Sequence, residues 1–220
     1  MLQKDTRILE SLLEDIIYKD VLVRHKIRDE SIVKGMISYL MSNIGKELSF
    51  NKLKNIFEIG STNTIIDIVS ALEDSYLLFT INQFAYSLKK QMRNQRKIYC
   101  VDNGIISKAS FHTSDNLGRL LENLVFIALR KKHQDIFYSK GKKECDFIVM
   151  EGSKFVKALQ VCYLLNQDNL DRELQGIAEA LSLYKLQEGL ILTYNLEDEF
   201  EVEGRKITVK PVWKWLLEKG

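Results

Sequence analysis

The sequence predicts a mixed α/β (α+β) chain in two modules, and three observations lead there. Apolar residues recur at helical spacing through the first third, strand-like and helical runs alternate through the second half, and a stretch dense in Lys and Arg lies between. A chain of 220 residues with 45% hydrophobic content can hold two cores, because domains usually run to about 100–150 residues. The expected divisions are an N-terminal helix over 1–27, a first module over 28–101 and a second over 102–220.

Ile8, Leu9, Leu12, Leu13, Ile16, Ile17 and Val21 form one apolar stripe, which predicts an amphipathic helix over 5–25. Helices are expected next over 30–43, 49–57 and 61–74, with Ser49 and then Ser61 or Thr62 as caps and Gly45 and Gly60 as punctuation. Strand-like runs over 77–84 and 97–101 flank a polar stretch at 85–96, which reads as a hairpin with a long basic tip. Three helices, a tight turn before the third and then a hairpin make the pattern of a winged helix-turn-helix, whose third helix would lie in a DNA major groove. That helix offers Ser61, Thr62, Asn63, Thr64, Asp67 and Ser70 but no Lys or Arg, so strong guanine readout is not expected from it. Lys89, Lys90, Arg93, Arg96 and Lys97 would instead grip phosphates and read little sequence. The same pattern also serves protein–protein adaptors.

The formal net charge of +2 hides an asymmetry: residues 1–85 carry −2, residues 86–143 carry +9 and residues 144–220 carry −5. A basic block between acidic ones points to a polyanionic partner, with DNA the first choice, although a block in sequence need not be one patch in space. Cys100, Cys145 and Cys162 are an odd number, lack a CxxC pair and sit in apolar runs. They read as reduced and buried, with neither a disulfide framework nor a zinc site, and the cytoplasm is the natural compartment. No apolar run approaches the ~18 residues needed to cross a bilayer, and no leader is recognisable, so no membrane partner is expected.

In the second half an amphipathic helix is expected over 116–132, with Leu117, Leu120, Leu121, Leu124, Val125, Ala128 and Leu129 on its apolar side. Strands follow over 136–139, 145–150 and 155–163, then a helix over 170–186 and a strand over 189–193. A hairpin of 200–202 with 206–209 and a Trp-rich helix from 212 close the chain. This order predicts a mixed sheet flanked by helices.

Glu122 in the first of these helices, Asp146 early in one strand and Gln160-Val161-Cys162 in the next stand in an order that resembles the PD-(D/E)XK nuclease superfamily, which has a restriction-endonuclease-like fold. The resemblance implies carboxylates that converge at one end of the sheet to hold Mg²⁺ or Mn²⁺, with a strand Glu-x-Lys whose lysine orients the attacking water. Period-2 alternation puts both members of that pair on one face. This strand departs from the pattern at both positions. Gln160 has an amide oxygen for a metal but no charge, and Cys162 cannot imitate a lysine. Loss of one preorganised electrostatic group typically costs about 10²- to 10³-fold in rate. The metal set implied is Glu122, Asp146 and Gln160. The catalytic set is Asp146, Gln160 and, as a migrated lysine, Lys143, while Lys140 and Lys142 are expected on phosphates.

The whole chain narrows the resemblance. Ile17-Tyr18-Lys19-Asp20-Val21, Ile98-Tyr99-Cys100-Val101-Asp102-Asn103-Gly104, Gly118-Arg119-Leu120-Leu121-Glu122-Asn123, Glu144-Cys145-Asp146-Phe147, Leu159-Gln160-Val161-Cys162-Tyr163, Asp171-Arg172-Glu173-Leu174 and the closing Pro211-Val212-Trp213-Lys214-Trp215-Leu216-Leu217 follow one another in order. Together they resemble the C-terminal region of a prokaryotic AAA-type ATPase family, a winged helix followed by a nuclease-like domain of unknown function. No G-x-x-x-x-G-K-[ST] occurs in the sequence, so the resemblance implies an ATPase domain as a partner in cis or in trans. Three readings follow: a DNA-binding, non-catalytic region of such a protein, a Mg²⁺- or Mn²⁺-dependent nuclease, and a protein-interaction module that regulates an ATPase.

Overall fold

The computed structural model describes residues 6–27, 29–110 and 117–218. Residues 5 and 116, at the edges of two expected helices, lie outside them. The chain is mixed α/β and divides into two units, Met1–Thr80 with Arg96–Asn116, and Ile81–Gln95 with Leu117–Gly220.

In the first unit, helix α1 (Thr6–Asp15) continues as a π-helix over Ile16–Val23. The i→i+5 bonding of a π-helix brings Leu22 beneath Ile17, and both are buried with Val21. Helices α2 (Glu30–Met41), α3 (Phe50–Ile56) and α4 (Thr62–Asp74) follow. Asp29, Ser49 and Ser61 each accept a backbone N–H from the first turn, the normal use of a short polar side chain at an N-cap, and Ser49 and Ser61 are the caps expected from the sequence. Strand β1 (Glu47–Leu48) pairs antiparallel with β3 (Arg96–Cys100), and β2 (Leu78–Asn82) completes a sheet of order β1-β3-β2. Helix α6 (Asn103–Ala109), capped by Asp102, packs on α1, where Lys108 donates to Glu10 at 2.7 Å.

Lys97, placed on phosphates from the sequence, is 2% exposed. It lies in β3, the middle strand of its sheet, where Ile98, Tyr99 and Cys100 are buried with it.

Residues Ile81–Gln95, which take in the end of the expected strand over 77–84 and nearly all of the expected basic tip over 85–96, belong to the second unit. They carry helix α5 (Leu88–Arg93), whose N-cap Ser87 accepts from Lys90 N–H. Both feet of this segment rest on one tyrosine: Phe84 N–H donates to the Tyr138 carbonyl at 2.9 Å, and Tyr138 Oη donates to the Gln95 carbonyl at 2.9 Å. Phe84 sits edge-on to Phe137, Phe155 and Tyr184, with ring centroids 5.5, 4.9 and 5.5 Å away. Phe84, the last residue of the expected strand-like run over 77–84, thus ties this loop down.

The rest of the second unit runs α7 (Leu117–Arg130), β4 (Asp135–Lys140), β5 (Glu144–Glu151), β6 (Lys154–Val161), α8 (Gln167–Tyr184), β7 (Glu188–Thr193), β8 (Asp198–Val202), β9 (Arg205–Pro211) and α9 (Val212–Leu217). The sheet order is β4-β5-β6-β7-β9-β8. β4, β5 and β6 form an antiparallel meander, α8 crosses over to place β7 parallel to β6, and β9 lies parallel to β7. Period-2 alternation sorts the faces. Ile148 and Ala158 are paired and pack with Ile177 and Leu181 of α8, whereas Phe147 faces Phe126 of α7 on the other side. The sheet is therefore covered by α8 on one face and by α7 and α9 on the other.

Candidate functional site

Asp146 and Gln160 come together because β5 and β6 are antiparallel with Phe147 opposite Leu159 and Ile148 opposite Ala158. One step further along this register sets Asp146 beside Gln160 on the α8 face. Asp146 N–H donates to Gln160 Oε1 at 3.1 Å, and Val161 N–H donates to Asp146 Oδ2 at 3.0 Å. Gln160 Nε2 donates to Glu173 Oε2 at 2.7 Å. Arg172 then donates from Nε and Nη2 to Glu173 Oε1 at 3.0 and 2.6 Å. Asp146, Gln160 and Glu173 are buried, at 6%, 8% and 5% exposure, while the Arg172 side chain is 65% exposed. A polar chain thus runs from solvent to the strand backbone, with each buried group matched to a partner as its burial requires.

Beside this chain lies the turn Lys140-Gly141-Lys142-Lys143. The Glu179 carboxylate of α8 accepts N–H groups from Lys142 and Lys143, both at 2.9 Å. A Cβ at position 141 would lie 2.1 Å from Glu179 Oε1, so glycine is what admits the carboxylate. The backbone donors of the turn are thereby spent on Glu179, and the exposed side chains of Lys140, Lys142 and Lys143 are left on a fixed base.

A cleft of about 430 Å³ is lined by Glu122, Lys140, Lys142, Lys143, Asp146 and Gln160, and also by Glu144, Arg172 and Glu173. Six residues singled out from the sequence therefore meet in one place. Of the remaining basic residues, Lys89, Lys90 and Arg93 are on α5 in the same unit, whereas half-buried Arg96 and buried Lys97 belong to the first unit. Sequence reasoning missed Glu173. Its signal was available: Leu170, Leu174, Ile177 and Leu181 trace the apolar stripe of α8, and Glu173 stands on that stripe as a carboxylate facing the core.

The donor set does not fit the divalent cation that the nuclease resemblance implies. Gln160 Oε1, expected as a ligand, accepts the Asp146 N–H, Glu173 is already matched by Arg172 and Gln160, and Asp146 Oδ2 accepts from Val161. Hard cations want several oxygen ligands with carboxylate charge. Among the described residues, no three His, Cys, Asp or Glu side chains are grouped so that they could hold a metal ion.

Cys162, at the position where the resemblance puts a lysine, is 8% exposed, and its Sγ donates to the Leu164 carbonyl at 3.3 Å. Burial, reinforced by the Glu173 charge, pushes its thiol up to about 11, and burial pushes Cys100 up to about 12. All three cysteines are buried, and none forms a disulfide. Since the thiolate is the reactive species, alkylation of the native protein by iodoacetamide at pH 8 is expected to run at least ~10²-fold slower than in denaturant. Rapid labelling of Cys162 in the native state would show a thiolate there.

The fold and the site define a mixed α/β protein with a polar, lysine-rimmed cleft where β5 begins and β6 ends in a six-stranded sheet. The chain belongs to the family described as a domain of unknown function (DUF8612), which matches residues 2–116, so the cleft residues lie beyond the matched span. It is similar to an uncharacterized protein of Methanocaldococcus jannaschii, 34% identical over 96% of this chain and 50% of that one. A second uncharacterized protein, from Haemophilus influenzae, is 26% identical over 96% of this chain and 52% of its own length. A further one from M. jannaschii is 28% identical over 94% and 43%. The chain spans about half the length of the curated relatives it matches. No solved structure matches it. No described helix is long and apolar enough to cross a membrane.

Proposed function

We propose that the chain is a DNA-binding, non-hydrolysing region of an AAA-type ATPase-family protein, a winged helix followed by a restriction-endonuclease-like module. The observation that carries this reading is the closed polar chain Arg172–Glu173–Gln160–Asp146 beneath a rim of lysines. Such a site has cations for phosphate on its outside and no open ligand set within. The order helix, three-stranded meander, crossover helix and parallel strand from α7 to β7 supports the nuclease-like reading. The three capped helices and the small sheet of the first unit support the winged helix. An ATPase module is the partner in cis or in trans, and relatives about twice as long leave room for the first arrangement.

Binding is to backbone phosphates through Lys140, Lys142 and Lys143 at the cleft and Lys89, Lys90 and Arg93 on α5. About four neutralised phosphates give a slope near −3.6 in log K against log salt. Fluorescence anisotropy on duplex DNA of arbitrary sequence at a series of salt concentrations measures it. Replacing Lys140, Lys142 and Lys143 together with glutamate should flatten the slope by about 0.9 for each phosphate that is no longer neutralised. Undetectable binding at low salt, or a salt-independent interaction, overturns the reading. One observation favours a second reading, a Mg²⁺- or Mn²⁺-dependent nuclease. Lys143 lines the same cleft as Asp146 and Glu122, where a migrated lysine would have to be.

A further inference from the structure

The α7 and α9 face of the second sheet carries a groove of about 570 Å³, away from the face that bears Gln160 and Glu173. This lies within the roughly 300–1,000 Å³ of small-molecule sites. Its floor is apolar, formed by Leu124, Ile127 and Ala128 of α7 and by Trp215 and Leu216 of α9. At one end stand Lys157 of β6, with Lys131 and Lys132 just past α7.

The charges at that end are arranged for an anion. Lys157 Nζ lies 3.2 Å from His133 Nε2, and His133 Nδ1 lies 3.3 Å from Glu151 Oε1. An ammonium group only donates, so Nε2 is the acceptor and Nδ1 carries the proton toward Glu151. Burial, with Lys157 next, holds the imidazole below its ordinary value, in keeping with that neutral tautomer. Lys157 is therefore held in place by an uncharged partner. The nearby carboxylates are engaged elsewhere, Glu151 on His133 and Glu218 on Lys210 at 2.6 Å. An apolar floor that ends at three lysines complements a molecule with an apolar body and one anionic head.

We propose that this groove binds a small amphipathic carboxylate, with its tail along Leu124, Ile127 and Trp215 and its carboxylate on Lys157. The site is independent of the DNA-binding reading and stands or falls separately.

Isothermal titration of the full chain with decanoate, and with decanol as the uncharged match, tests the proposal. Decanoate is expected to bind at least ~10-fold more tightly than decanol, the scale of one charge-assisted hydrogen bond. Lys157→Met should remove that preference and leave decanol binding unchanged. Ala128→Trp, which fills the groove, should abolish both. Equal affinity for the two ligands, no binding of either, or a Lys157→Met variant that keeps the preference overturns the proposal. So does self-association in sedimentation velocity that Ala128→Trp disperses, because the groove would then be an interface between copies. If Ala128→Trp fails to fold, Lys157→Met at its exposed position still decides.

Discussion

Replacing Gln160 with glutamate is expected to cost about 3 kcal/mol of stability at pH 8 and almost nothing near pH 4. In the native protein the Gln160 amide donates to Glu173 Oε2 at 2.7 Å in a buried setting. A glutamate there would set two carboxylates against each other, and Arg172, two-thirds exposed, already serves the other oxygen of Glu173. The pair would share one proton. The sign follows from linkage: a carboxyl whose folded value is raised above its unfolded value of about 4.3 costs nothing while both states are protonated. The cost then grows as pH rises from the unfolded toward the folded value and levels off above it, at about 1.36 kcal/mol per unit of difference. Urea unfolding of both proteins at several pH values from 4 to 8 measures this. A pH-independent difference would mean that Gln160 and Glu173 do not touch.

Gly176→Ala is expected to destabilise the protein by about 1–3 kcal/mol, the usual range for overpacking. A Cβ at this position would lie 2.5 Å from the Glu144 carbonyl oxygen, which is backbone and cannot rotate away. Helix α8 would have to lift from the start of β5 and would take Glu173 and Glu179 with it. Ala ordinarily improves a helix interior by up to ~1 kcal/mol relative to Gly, so a stabilised variant would contradict the close approach. Thermal unfolding decides between the two signs.

These two positions show what the sequence could and could not convey. Alternation and cap chemistry are local, so β5, β6 and the starts of α3 and α4 were legible, as was the meeting of Asp146, Gln160 and Glu122 at one cleft. Gln160 was read as a metal ligand because its partner could not be seen: Glu173 is 13 residues away across a crossover connection. The basic stretch misled in a similar way. Burial of Lys97 follows from the central place of β3 in its sheet, and the anchoring of Phe84 on the meander follows from aromatic partners about 50 to 100 residues distant in sequence, neither of which a charge count contains. The two-residue strand β1 and the helices α5 and α6 were too short to leave a periodic signal.

On the function proposed above, the second unit holds DNA without cutting it. Supercoiled plasmid incubated with the protein and Mn²⁺, then resolved on agarose before and after deproteinisation, tests it most directly. Retarded plasmid is expected before deproteinisation and fully supercoiled plasmid after it. Nicked or linear plasmid that disappears with Asp146→Ala would contradict it and establish the nuclease.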